Sequence, residues 1–243
     1  MYTVRDDAQA DLAATLSTVG KLGYAGVELA GYAGHSAAEY KKLLDDNGLR
    51  AIGQHVGFDL VKNSLSQVID EAKLFGYDYV MVPWIGAPYT DSMDGYRKLG
   101  AELKEASVAL RAAGLTLGYH NHAFEFEKSE DGVFGFDAIF DSAGPEVVTE
   151  MDTFWVVKGG QNPAAYLEKY AGRVPIIHLK DMDAEGGFAP VGEGTIDYTG
   201  SLLPAAEKAG VQFYVVEQDS CKPPLVPLES IRLSIENLKS WGL

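Results

Sequence analysis

Arg50-Ala51-Ile52-Gly53-Gln54-His55 is followed, after a short turn, by Ser64-Leu65-Ser66-Gln67-Val68-Ile69-Asp70-Glu71-Ala72-Lys73-Leu74-Phe75 and then Gly76. The first run is short and half apolar, which suits a strand. In the second, apolar residues recur three and four apart, the spacing of an amphipathic helix, and the glycine supplies its C-terminal stop. The same unit recurs about every 30 residues. Upstream, expected strands at 2–5 and 26–29 precede helices at 11–22 and from Ser36, where Ser36-Ala37-Ala38-Glu39 has capping-box spacing. Downstream, strands are expected at 79–83, 115–122, 147–152, 174–180 and 212–217, and helices at 93–113, 137–142, 163–170, 198–209 and 227–241. Asn162-Pro163 places a cap and a first-turn proline at the start of one of them. Eight strands alternating with eight helices imply a parallel sheet, because each crossover returns the chain to the same edge. The expected fold is therefore α/β, a single closed (β/α)8 TIM barrel domain over residues 1–243. An open doubly wound sheet is the rival, but no glycine-rich phosphate loop follows an early strand.

Charge and cysteine usage narrow the function classes. Lys plus Arg number 20 against 35 for Asp plus Glu, a formal charge of −15. Such a surface repels nucleic acid and anionic lipid, so neither is an expected partner. The lone Cys221 can form neither an internal disulfide nor a thiolate zinc cluster. No apolar run approaches the roughly 20 residues that span a bilayer, and MYTVRDDAQADL does not read as a signal peptide. A cytoplasmic protein acting on a small molecule is the expectation. Barrels of this kind often pair, so a homodimer is left open.

In such a barrel the working residues stand at the C-terminal ends of strands. Those ends are Glu28, His55, Pro83-Trp84, His120 with His122, Glu150 with Asp152, His178 with Lys180, and Glu217. Alternate residues share a face, about 6 to 7 Å apart, so His120 with His122, Glu150 with Asp152, and His178 with Lys180 each pair on one side. Carboxylates crowded into a low-dielectric mouth repel one another unless a proton or cation intervenes. Mixed imidazole and carboxylate donors suit Mn²⁺, Zn²⁺, Co²⁺ or Fe²⁺ better than Ca²⁺. Each feature also has a plainer reading: His55 as a core histidine, Lys180-Asp181 as a surface ion pair, Glu150-Met151-Asp152 as a capping turn. Glu125 and Glu193 are individually weak signals in loops. Trp84 and Trp155 fall just past strand ends, where they can pack or stack on a sugar ring.

The order Gly26-Val27-Glu28-Leu29, Tyr119-His120-Asn121-His122, Glu150-Met151-Asp152-Thr153-Phe154-Trp155, His178-Leu179-Lys180-Asp181, Gly192-Glu193-Gly194 and Val216-Glu217-Gln218-Asp219 resembles the sugar phosphate isomerase/epimerase family of xylose isomerase-like TIM barrels. The resemblance implies a divalent metal (Mn, Zn, Co, Mg or Fe) held by Asp152, His178 and Glu217, with His120 where the family usually has a glutamate. It also places Trp155 where a histidine is usual. The implied activity is metal-dependent isomerisation or epimerisation of a sugar, keto-sugar or polyol by proton abstraction through an enediolate. The alternative is dehydration or β-elimination at the same site, as in the inosose dehydratases. In either case Glu217 or Glu150 is expected as base, with Glu150 alternatively supplying the missing carboxylate ligand, and His120 or His122 as proton donor or relay. His55, His122, Trp155, Lys180 and Glu28 are expected to contact substrate.

Overall fold

Seven strands lie side by side in chain order: Gly26–Leu29 (β1), Arg50–His55 (β2), Tyr79–Val82 (β3), Thr116–His120 (β4), Val148–Asp152 (β5), Ile176–Leu179 (β6) and Phe213–Val216 (β7). Every neighbouring pair is parallel. These positions come from a computed structural model, which describes residues 1–127 and 129–243. The crossovers carry helices: Arg5–Ala10 (α1), Leu12–Leu22 (α2), Ala37–Asp46 (α3), Phe58–Asn63 (α4), Leu65–Phe75 (α5), Met93–Ala112 (α6), Gly135–Ala143 (α7), Thr153–Lys158 (α8), Pro163–Lys169 (α9), Leu203–Ala209 (α10) and Pro227–Ser240 (α11). The sheet curls into a nearly closed barrel with these helices around it. No helix among the described residues is long and apolar enough to cross a membrane.

Local chemistry sets the element ends. The Ser36 hydroxyl accepts from the Glu39 N–H while the Glu39 carboxylate accepts from the Ser36 N–H, a reciprocal box that starts α3. Asn162 accepts from Ala164 N and Ala165 N, with Pro163 in the first turn of α9. The left-handed Gly76 ends α5, a backbone that a side chain would strain. Inside the barrel, Gly118 admits Met81: a Cβ at 118 would stand 2.2 Å from the Met81 sulfur. The buried Met81 thus fills space beneath the polar layer at the strand ends.

One expected strand is not a strand. Tyr2–Val4 forms a short 3-10 turn that runs straight into α1. Tyr2-Thr3-Val4-Arg5 is too short for its periodicity to be read, and Asp6 and Asp7 in the first turn of α1 favour a helix start. The cylinder is therefore open by one strand, between β1 and β7, which are not hydrogen-bonded to each other. The N-terminal residues bridge the upper end of this seam. The Met1 amino group donates to the Glu28 carbonyl (2.9 Å), and Gln218 N donates to Thr3 Oγ1 (2.9 Å). Below them a cavity of ≈ 390 Å³ is walled mainly by apolar side chains, Val27, Ile52, Val215, Ile231, Ile235 and Leu238 among them.

Candidate metal centre and active site

Strand register delivers the polar residues to one level. His120 pairs with Glu150 across β4 and β5, and Asp152 with His178 across β5 and β6. Because every second strand residue faces the axis, Glu150 and Asp152 both point inward, as do His178 and Lys180. Two interlocking sets result. His120, Asp152, His178 and Glu217 offer ligand atoms that all lie within 4.8 Å of one another, and so do His55, His120, Glu150 and His178.

The second set is already joined by hydrogen bonds. Glu150 Oε2 lies 2.7 Å from His55 Nε2 and 3.0 Å from His120 Nδ1. Glu28 Oε2 lies 2.9 Å from His178 Nε2 and 3.1 Å from His55 Nε2. Each of the two carboxylates keeps one buried oxygen unpaired. In this arrangement His120 turns Nε2 toward Asp152 Oδ2 (3.7 Å), and His178 turns Nδ1 toward Glu217 Oε1 (3.5 Å). His178 Nδ1 is buried without a hydrogen-bond partner, at the centre of the first set. An orphaned buried nitrogen between carboxylates is costly unless a cation or proton completes it, so this donor set fits a divalent ion. Carboxylate-held imidazoles are also the usual second layer around a metal.

Lys180 is no surface partner of Asp181. It is 1% exposed, and its Nζ lies 2.6 Å from Asp219 Oδ1, 2.9 Å from Glu217 Oε1 and 3.1 Å from Asp152 Oδ2. Asp181 instead turns away and accepts from the backbone N–H groups of Met182, Gly192, Gly194 and Ile196, shaping the loop after β6. Asp152 serves twice: Oδ1 caps α8 by accepting from Trp155 N (2.9 Å), and Oδ2 meets Lys180.

Several supporting residues had little or no sequence signal. Asn121 clips the Asp152 backbone, accepting from its N–H at 3.0 Å and donating to its carbonyl at 3.3 Å. The Thr153 hydroxyl donates to the His178 carbonyl and accepts from Lys180 N. Glu125 is fully buried, where it accepts from the Tyr119 hydroxyl and from His122 N. Asp219 was visible only as the last residue of a motif. By contrast Glu193 and His35 are exposed, away from this chemistry. The mouth is aromatic: the His122 ring stacks on Phe124 (5.6 Å, 9°) and lies 5.3 Å from Trp155, which meets Phe188 edge-on.

Burial and neighbouring charges oppose each other at several of these groups. Burial alone would lower His55, but Glu28 and Glu150 push it up to about 10. His178 behaves likewise and is held well above its ordinary value by Glu150, Glu217 and Glu28. Burial would raise Glu150 and Glu217, yet His178 and His55 hold the first, and Lys180 and His178 the second, well below the carboxylate range. Burial, with His120 and Lys180 nearby, drives His122 down to about 3, so it is neutral at pH 7. Burial pushes Glu125 up to about 7.

The sequence profile of the xylose isomerase-like TIM barrel matches residues 16–241. The chain belongs to the xylose isomerase-like TIM barrel family. Among curated relatives of this xylose isomerase-like barrel, the inosose dehydratase of Clostridium beijerinckii is 29% identical across 43% of this chain. The match spans only 38% of that protein, well under two thirds of its length. The rhizopine catabolism protein MocC of Rhizobium meliloti is 24% identical across 92% of this chain and 79% of its own. Among solved structures, a sugar phosphate isomerase/epimerase from Parabacteroides distasonis superposes with a TM-score of 0.86. It is 23% identical and covers 98% of this chain and 95% of that one, a likeness that shows the fold.

Proposed function

We propose that residues 1–243 work as one barrel domain, a divalent-metal-dependent enzyme that abstracts a proton from a sugar, keto-sugar or polyol. The observation that carries this reading is the convergence of His120, Asp152, His178 and Glu217 from four adjacent strands, with ligand atoms within 4.8 Å of one another. These four residues would hold the ion. When bound, a divalent cation polarises adjacent substrate oxygens and stabilises the negative charge that develops on them.

The chain's own groups divide the remaining work. Glu217, whose carboxylate lies in the ligand cluster, is the base and takes the proton from a carbon next to a carbonyl. The substrate electrons move into an enediolate. Lys180, bonded to Asp152, Glu217 and Asp219, offsets one of their three charges and reaches a substrate oxygen only by giving up one of these partners. Neutral His122, with a buried and unpaired Nδ1, hydrogen-bonds a hydroxyl. Trp155, whose Nε1 is likewise unpaired, supplies a second donor beside it. We assign Glu150 and Glu28 to positioning: completely or almost completely buried and bonded to the imidazoles, they fix the rings rather than meet substrate. His120, with Nδ1 held by Glu150 (3.0 Å), would then serve as a ligand in place of a second carboxylate, and a proton delivered to the opposite face comes from solvent.

If the proton returns to the neighbouring carbon the outcome is isomerisation, and if it returns to the opposite face, epimerisation. If a β-oxygen leaves with it instead, the outcome is elimination. The 29% identity to an inosose dehydratase supports this last course. The test is a screen in D₂O with Mn²⁺ and a panel of keto-sugars, inosose-type ketones and 3-keto-glycosides, followed by NMR. Deuterium is expected at a single substrate carbon, and chelation should stop its uptake. No uptake in any member of the panel, or uptake indifferent to chelation, would overturn the reading.

A further inference from the structure

Beside the candidate centre lies a groove of ≈ 280 Å³ that the mechanism above does not use. One wall is the loop after β3, with Trp84 and Ile85; the other is the turn after β4, with Phe124 and Glu127; Tyr96 and Asp91 complete it. Trp84 is 59% exposed, an unusual state for a tryptophan at a barrel mouth. It is nonetheless seated: a Cβ at Gly86 would stand 2.6 Å from Trp84 Cη2, so the indole lies against a glycine that leaves room for it. The opposite wall is tied down too, because the Tyr96 hydroxyl donates to the Phe124 carbonyl (3.1 Å).

A run of rings leads from the centre to the groove. The His120 and His122 ring centres are 5.2 Å apart, and those of His122 and Phe124 are 5.6 Å apart. Phe124 is itself a wall of the groove. The groove therefore begins about two ring widths from the ligand cluster. A seated indole face with carboxylates at its edges suits a pyranose: the apolar C–H face packs on the aromatic surface while hydroxyls donate to carboxylate oxygens.

We propose that this groove is a second sugar-ring subsite, and that the substrate is a glycoside or disaccharide whose other ring is processed at the His120–Asp152–His178–Glu217 cluster. The proposal rests on the sugar reading given above and names the size of the substrate. It is tested by calorimetry or saturation-transfer NMR on the full chain with Mn²⁺. The probes are maltose, cellobiose, sucrose and trehalose, set against glucose and fructose. At least one disaccharide is expected to bind ten-fold or more tightly than its component monosaccharides. Trp84→Ala should erase that advantage while leaving monosaccharide affinity within two-fold, and Trp84→Phe should keep part of it. Because Trp84 is exposed, far-UV circular dichroism of both variants should match the parent. Equal affinity for both sizes, or an advantage that survives Trp84→Ala, overturns the subsite and leaves the sugar reading standing. Absence of binding by either size overturns the subsite, and the sugar reading is then decided by the deuterium screen.

Discussion

Glu217→Gln is expected to abolish turnover while leaving the barrel folded. The substitution keeps the shape of the side chain and removes the charge that lies 2.9 Å from Lys180 and 3.5 Å from His178 Nδ1. Loss of a general base costs on the order of 10²–10⁴ in rate. Loss of one anionic ligand adds to it, so turnover should fall at least a thousand-fold. Folding should survive because Lys180 retains Asp152 and Asp219, and because the amide oxygen can still accept from the ammonium. The check is kcat beside far-UV circular dichroism and the melting temperature. Activity near that of the parent would remove Glu217 from the chemistry.

Lys180→Met carries the larger structural penalty. The ammonium is buried among three carboxylates, and removing one partner of such a network strands the other charges. Breaking a buried ion pair in this way costs about 3–5 kcal/mol. For a chain of this size that lowers Tm by roughly 6–20 °C. Two of the carboxylates, Asp152 and Glu217, belong to the candidate ligand set. A divalent ion should therefore offset part of the lost charge, by about 2.7 kcal/mol at a hundred times its dissociation constant. Scanning calorimetry with and without Mn²⁺ should show a larger metal-induced rise in the variant than in the parent. An unchanged Tm without metal would mean that Lys180 is not the internal counter-ion.

The strand ends were legible because barrel architecture fixes both location and parity. Once 147–152 and 174–180 read as strands, Asp152 and His178 had to stand at one rim, and they do, paired in register. The ligand set, by contrast, came from the resemblance and not from periodicity. What escaped has physical reasons. Tyr2–Val4 is too short for its pattern to separate a strand from a helical turn. Lys180-Asp181 reads equally well as a surface pair, and only the tertiary fold buries the lysine under Asp219 and sends the aspartate into a ring of backbone N–H groups. Asn121 and Glu125 act by holding the backbone of residues distant or adjacent in sequence. Such a function leaves no spacing to detect. Glu150 was legible as a pocket residue, but its bonds to His55 and His120, which suit it to positioning, depend on register across several strands.

Mn²⁺ binding tests most directly the cation site proposed at the ends of β4 to β7. Protein stripped with chelator should bind one Mn²⁺ per chain in an electron paramagnetic resonance titration. Asp152→Asn, which keeps an acceptor for capping α8, should bind at least a hundred-fold more weakly while still folded. A parent protein that binds no Mn²⁺ below millimolar concentration, or an Asp152→Asn variant that binds as tightly as the parent, would contradict it.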